Sequence, residues 1–195
     1  MDNTLALVGE MGVRRVRPAS LWWKLRNLPH IWPGLWRAWV ARACGMSHIE
    51  GRLYVRKFCA DGSIVDYGLA GTKKVTTAFV QLLVDNLQAE TTAWGDFKYH
   101  DCGTGATAES VDDAGLVTAA GTARATGTQT EGAAAHIYKS VGTIAFTSSK
   151  SITEHGLFNA STGGTLMDRT VLAQYNMVNG ESLEFTYTLT CRAGG

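Results

Sequence analysis

Cysteine is scarce in this chain and is not arranged for cross-linking or for metal binding. The four cysteines, Cys44, Cys59, Cys102 and Cys191, lie far apart in sequence, and no two of them have CxxC spacing. The pattern therefore predicts neither a zinc centre nor a disulfide framework. Free thiols made in a reducing cytosol are the simplest interpretation.

Long apolar runs are missing as well. A membrane-spanning helix needs about 18 or more consecutive apolar residues. The most apolar region, near the amino terminus, is interrupted by Lys24, Arg26, His30 and Arg37. The amino terminus also lacks the basic start, apolar run and small-residue cleavage site of a secretory signal. The sequence predicts a chain that does not cross a membrane.

Motifs for catalysis, cofactors and metals are incomplete. Gly103-Thr-Gly105 is not followed by the Gly-Lys-Ser/Thr of a phosphate loop, which favours a glycine-dependent turn. His100, Asp101 and Cys102 are consecutive, so on a strand Asp101 points away from the other two side chains. Glu154-His155 lacks the second histidine of a zinc-binding HExxH motif. We predict no catalytic, cofactor-binding or metal-binding residues and no enzymatic activity.

Composition divides the chain near residues 47–51. All three prolines and five of the six tryptophans lie within the first 39 residues. Residues 1–50 hold seven Lys/Arg against three Asp/Glu, a net charge of +4, whereas residues 51–195 have a net charge of −3. We predict an amino-terminal docking arm over residues 1–50 and one domain over residues 51–195.

The arm is predicted to be partly extended and partly helical. Residues 1–17 show no periodicity and are expected to be extended. Ser20 can cap a short helix that Pro29 and Pro33 stop, and a second short helix is predicted from Pro33 to Ala43.

The domain is predicted to be mainly β. Strands are expected at residues 52–58 and 63–69 around an Asp61-Gly62 turn, at 97–100, at 137–146 and at 183–191. Thr76 or Thr77 caps one predicted helix over residues 77–89, with an apolar stripe that includes Phe79 and Leu87. Residues 101–132 are rich in Gly, Ala and Thr, and part of this range is expected to form loop or strand edge. Leu183 to Cys191 alternate apolar with polar residues, which favours an antiparallel β-sandwich.

The aromatic and basic residues of the arm are the candidate partner interface. Tryptophan and arginine dominate interface energetics. The tryptophans could instead pack on their own domain, lie on a membrane surface or stack on nucleic acid. The prolines argue against a long amphipathic membrane helix, and the near-neutral net charge argues against nucleic acid. The predicted interface residues are Trp22, Trp23, Trp32, Trp36, Trp39, Arg26 and Arg37.

Four polar residues lie on two predicted strands in the carboxy-terminal third of the chain. Glu154 and His155 are on one strand, and Asp168 and Arg169 are on the next. We interpret them as a cross-strand cluster that fixes strand register. Contact with a neighbouring subunit is the functional alternative.

Three segments of this third resemble an element of tailed-bacteriophage virion structural proteins. They are Ser151-Ile-Thr-Glu-His-Gly-Leu-Phe158, Gly164-Thr-Leu-Met-Asp-Arg-Thr-Val171 and a closing strand over residues 178–190. The resemblance covers about residues 51–195 and implies pairing of the first two segments.

The resemblance implies a non-enzymatic virion protein made in the bacterial host cytoplasm. A capsid decoration or cement protein is the leading expectation, with the major capsid protein or other virion proteins as partners. A homo-oligomer is expected because a capsid lattice repeats each position. A head–tail junction or tail component, or a carbohydrate- or receptor-binding module, is the alternative.

Overall fold

The structure, a computed structural model of the chain, describes residues 5–8, 12–88 and 96–194. In chain order the described elements are β1 (Leu5–Val8), β2 (Gly12–Pro18), α1 (Leu21–Ala43), β3 (His48–Phe58), β4 (Ile64–Val75), α2 (Thr77–Leu87), β5 (Tyr99–Gly103), β6 (Ala125–Thr126), β7 (Thr128–Glu131), β8 (Ile137–Ala145), β9 (Lys150–Phe158), β10 (Leu166–Met177) and β11 (Ser182–Arg192). The predicted class, mainly β with few helices, is confirmed.

The strands form two sheets that share β4. The first sheet has the order β2, β4, β3, β11, β8, β7, and the second has the order β6, β5, β9, β10, end of β4. The pairs within these sheets are antiparallel except for the parallel pair of β2 with β4. β4 passes from one sheet to the other because its first part pairs with β3, while Lys74 and Val75 pair with β10.

The chain crosses between the sheets a second time at Gly127. Just before it, β6 pairs with β5 in the second sheet, and just after it β7 pairs with β8 in the first. A Cβ atom on Gly127 would lie 2.6 Å from Ser140 Oγ and 2.8 Å from His100 Nε2. A residue without a side chain is therefore needed at this crossing.

The apolar core lies where side chains of the two sheets meet. In β11, Leu183, Phe185, Tyr187 and Leu189 are buried, as their alternation predicts. The ring of Phe185 lies 4.5 Å from the ring of His155 in β9. The alternation of β11 predicts that Cys191 shares the buried face with these residues, but the structure shows it exposed. β8 stops pairing with β11 at Thr190, so the sheet has narrowed where Cys191 stands.

The segments of the phage resemblance pair as expected. β9 and β10 are antiparallel neighbours, with His155 opposite Thr170 and Glu154 opposite Val171. Consecutive residues of β9 are buried on both faces of the sheet. One face meets the core, and the glycine-rich segment at residues 104–124 covers the other. That segment is loop with short strand edge, as its composition predicts.

The predicted hairpin and domain helix are confirmed. β3 and β4 pair across a turn in which Gly62 has φ +79°, a conformation that favours glycine. Thr76 caps α2, since its Oγ1 accepts a hydrogen bond from Phe79 N at 3.2 Å. Leu87 was predicted to share the buried stripe and is exposed instead. It is the last residue of the helix and extends beyond the core.

The prediction of two short helices separated by prolines is wrong. α1 is one helix of 23 residues that contains both Pro29 and Pro33. Each proline removes the amide hydrogen bond to the carbonyl four residues earlier, namely those of Leu25 and Pro29. All three residues lie on the exposed side of α1, where water can bond these carbonyls. The packing of the opposite side keeps the helix continuous.

Residues before position 51 pack against later strands. The predicted extended arm contains the antiparallel β1–β2 pair, and residues 1–4 and 9–11 lie outside the described residues. β2 then pairs with β4, and four residues separate the end of α1 from the start of β3. Whether residues 51–195 fold without the arm stays a prediction.

Candidate functional site

The exposed side of α1 carries a continuous row of large apolar side chains. At 100° per residue they fall within about 120° of the helix circumference. The four tryptophans among them are between 54% and 82% exposed. We call this set the α1 ridge, and it consists of Leu21, Trp22, Leu25, Leu28, Trp32, Trp36 and Trp39.

The opposite side of α1 is fixed to the strands. Asn27 is buried and its Nδ2 donates a hydrogen bond to Leu69 O at 3.1 Å. Gly34 lies directly against Thr72, so any Cβ atom at that position would overlap the threonine side chain. Thr72 Oγ1 in turn donates to His30 O at 3.3 Å. These contacts fix the orientation of α1, so that the α1 ridge faces away from the sheets.

Trp23 is not part of the exposed ridge, which corrects its assignment to the partner interface. Its ring lies 4.7 Å from the ring of Tyr67 and 5.6 Å from the ring of Tyr175. Burial raises the pKa of both tyrosines, so they stay neutral beside the indole. Trp23 therefore anchors α1 to its own domain.

Cations border the α1 ridge on both sides. At 100° per residue, Arg26 and Arg37 fall along one border and Lys24 and Arg42 along the other. All four are exposed, and none is ion-paired within the described residues. α1 contains no Asp or Glu. The structure thus keeps Arg26 and Arg37 beside the tryptophans, as the predicted interface requires.

Glu154 is the centre of a buried polar network on the outer face of the second sheet. Its Oε1 accepts hydrogen bonds from Gly105 N at 3.0 Å and Thr118 N at 2.8 Å. Its Oε2 accepts from Val117 N at 3.1 Å and from Arg169 Nε at 2.6 Å. The carboxylate therefore binds the covering loop to β9.

Arg169 completes this network. Its guanidinium also donates to Asp113 Oδ2 at 3.1 Å and to Thr107 O at 3.0 Å. Burial opposes the charge, but the bonds to Glu154 and Asp113 favour it, and the pKa of Arg169 is raised overall. The side chain spans from β10 across the loop.

The four residues of the predicted cross-strand cluster lie on two faces of the sheet, with Glu154 and Arg169 on the outer face and His155 and Asp168 on the core face. Glu154, His155, Asp168 and Arg169 are all at most 1% exposed within this one chain. Glu154 and Arg169 stand diagonally across the β9–β10 pair, the geometry that favours cross-strand ion pairs. Side chains buried in this way cannot reach a neighbouring subunit.

The Gly103-Thr-Gly105 segment surrounds an anion that the chain itself supplies. A Cβ atom on Gly105 would lie 2.5 Å from Glu154 Oε1. The amide of Gly105 is already bonded to that oxygen. The glycines are thus needed for close approach of a carboxylate, which takes the place that a phosphate would occupy in a phosphate loop.

His100 and Cys102 are both enclosed in the core. His100 Nδ1 lies 3.1 Å from His155 Nε2, and His100 Nε2 lies 2.9 Å from Ser140 Oγ. Burial raises the pKa of the Cys102 thiol to about 12, which disfavours the nucleophilic thiolate. All four side chains are fully buried, so this arrangement serves packing and hydrogen bonding.

Sequence patterns did not reveal a surface cavity of about 510 Å³ at the carboxy-terminal end of α1. Arg42, His48, His136 and Arg192 contribute to its lining, and none of the described lining residues is Asp or Glu. These residues come from three separate parts of the chain, so no spacing in the sequence signals them. The lining is suited to an anionic group.

Among the described residues, no helix is long and apolar enough to cross a bilayer. In comparisons with known proteins, the chain matches no family model, no curated protein and no solved structure.

Proposed function

We propose that this chain is a structural protein of a tailed-bacteriophage virion, most specifically a capsid decoration protein. Its two facing sheets form a β-sandwich that sits on the outer shell, and the α1 ridge attaches it there. The resemblance of residues 151–158, 164–171 and 178–190 to virion proteins supports the class. The antiparallel pairing of β9 with β10 agrees with it.

The observation that carries the docking role is the exposure of the α1 ridge on a fixed helix. A contiguous apolar patch larger than a few hundred Å² marks an interaction site on a folded protein. Four tryptophans and three leucines at these exposures offer on the order of 800 Å², the area that one partner buries in a stable interface. The helix is already held in place, so binding requires little further ordering.

The proposal places the protein in the virion, after synthesis in the bacterial host cytoplasm. Its partner is the major capsid protein or another virion protein, and its copies are arranged by the symmetry of the shell. The same surface would serve a head–tail junction or tail component. The protein is proposed to act without catalysis, and the buried positions of His100, Cys102 and Glu154 support a structural role for them.

A binding assay on virus shells tests the proposal. Shells that lack this protein are incubated with the wild-type chain or with the Trp32→Ala/Trp36→Ala/Trp39→Ala variant, and bound protein is measured after sedimentation. We expect the wild-type chain to bind and the variant to lose at least about 100-fold in affinity, since each anchor residue contributes up to several kcal/mol.

Leu87→Ala is the matched control, because Leu87 is a large exposed apolar residue on α2 rather than α1. It should bind as the wild-type chain does. Failure of the wild-type chain to bind any shell or tail assembly would refute the virion assignment.

A further inference from the structure

The charges beside the α1 ridge restrict the chemistry of its partner. We infer that the ridge fits a groove on a different protein that has an apolar floor and carboxylates along both rims. This inference deepens the proposed function, on which it rests for the identity of the particle.

The shape of the α1 ridge is suited to a groove. The α1 ridge runs along a helix of 23 residues, about 35 Å in length, and occupies about a third of its circumference. The rings of Trp36 and Trp39 are stacked at 5.1 Å with an interplanar angle of 26°, so they project as one block. A long, narrow and rigid apolar projection is complementary to a groove, the mode in which proteins receive amphipathic helices.

Positive charges lie along both sides of the α1 ridge. Arg26 and Arg37 border one side of the α1 ridge, Lys24 and Arg42 border the other, and α1 has no acidic residue. None of the four cations has an ion-pair partner among the described residues. Rims that carry Asp or Glu would therefore meet a cation on either side, and interfaces arrange opposite charges in this way.

The same charges exclude a second copy of α1 as the occupant. Two antiparallel α1 helices would place Arg26 of each copy near Arg37 of the other. Two parallel helices would place the Arg26 and Arg37 border of each copy opposite the Lys24 and Arg42 border of the other. Like charges facing each other across an interface are unfavourable, and neither arrangement supplies a carboxylate.

A membrane surface fits less well than a protein groove. Helices that lie on membranes turn a charged face to water, whereas the side of α1 opposite the ridge is packed on β4 through Asn27 and Gly34. The strands behind the helix belong to residues 51–195, whose sequence has a net charge of −3. An anionic bilayer would repel that part of the protein.

Site-specific photo-cross-linking tests the inference. The full chain carrying p-benzoylphenylalanine in place of Trp36 is made in infected host cells and irradiated, and the cross-linked peptides are identified by mass spectrometry. The same substitution at Leu87 on α2 is the control for non-specific capture. We expect Trp36, but not Leu87, to cross-link to one protein segment that is apolar and bordered by Asp or Glu.

A second measurement tests the charge requirement directly. Affinity for that captured protein, once purified, should fall at least tenfold or so in the Arg26→Glu/Arg37→Glu variant and at high salt. The Arg14→Glu/Arg15→Glu variant makes the same change in charge at two exposed arginines of β2 and should bind nearly as the wild-type chain does.

The outcomes separate this inference from the proposed function. An acid-rimmed partner that belongs to the virion supports both. An acid-rimmed partner from outside the virion supports the inference and refutes the proposed function. A virion partner whose affinity is unchanged by charge reversal refutes the inference alone. Cross-links to a second copy, no protein cross-link, or binding to vesicles of phosphatidylcholine and phosphatidylglycerol that depends on Trp36 would also overturn it.

Discussion

Glu154 and Arg169 form a 2.6 Å ion pair between two side chains that are at most 1% exposed. Glu154 Oε2 accepts from Arg169 Nε, and the remaining lone pairs of the carboxylate accept three loop amides. A buried charge pair is costly to desolvate, and it persists where hydrogen bonds satisfy both partners. The pair thus joins β9, β10 and the covering loop.

Removal of this carboxylate should be strongly destabilising. Glu154→Gln leaves Arg169 buried with Asp113 as its remaining carboxylate partner, and we expect a loss of about 3–5 kcal/mol in the free energy of unfolding. Glu184→Gln is the control, since Glu184 makes a 3.7 Å ion pair with the exposed Arg56 and should cost less than about 1 kcal/mol. Urea denaturation compares the two, and equal losses would contradict the structural role of Glu154.

The closing strand offers a test of which face is buried. Phe185 is fully buried against His155, so Phe185→Ala should cost about 3–5 kcal/mol in the free energy of unfolding. Thr186 points to the other, half-exposed face of β11, and Thr186→Ala should cost less than about 1 kcal/mol. Thermal melts of the two variants decide, and a larger loss for the threonine would mean that the faces are inverted.

Part of this architecture follows from local sequence and part does not. Alternation in β11 and the Thr76 cap of α2 act within a few residues, so both could be predicted. The continuity of α1 depends on packing against Thr72, which local propensity at Pro29 and Pro33 does not contain. The Glu154 network uses backbone amides of a distant loop, and no residue type signals those donors. Cys191 and Leu87 were misplaced because periodicity does not show where a core ends.

The close approach of α1 to β4 predicts that Gly34 cannot be replaced. Gly34→Ala would force its new methyl group into Thr72, so we expect a loss of about 1–3 kcal/mol in stability and weaker docking of the α1 ridge. Gly115→Ala is the control, because a Cβ atom there meets open space. Denaturation curves should show little change for Gly115→Ala. A neutral Gly34→Ala would mean that α1 does not pack as described.

The cysteines should differ sharply in reactivity. Burial raises the pKa of Cys102 to about 12, whereas Cys44 is exposed. Since the thiolate is the reactive form, iodoacetamide at pH 8 should label Cys44 quickly and Cys102 only after unfolding. The unfolded chain loses the Cys102 proton at lower pH than the folded chain. The contribution of the Cys102 thiol to the free energy of unfolding is therefore fully present below its ordinary pKa of 9.0. This contribution is lost as the pH rises toward about 12. Fast labelling of Cys102 in the folded protein would contradict its burial.

We propose that the α1 ridge attaches this protein to a virion shell, and a cryo-electron microscopy reconstruction of the decorated particle would show whether it does. We expect density for α1 at the shell surface, with Trp32, Trp36 and Trp39 in a groove of a capsid subunit and the two sheets outside. Density that places the α1 ridge in solvent, or that places the loop at residues 104–124 against the shell, would contradict it.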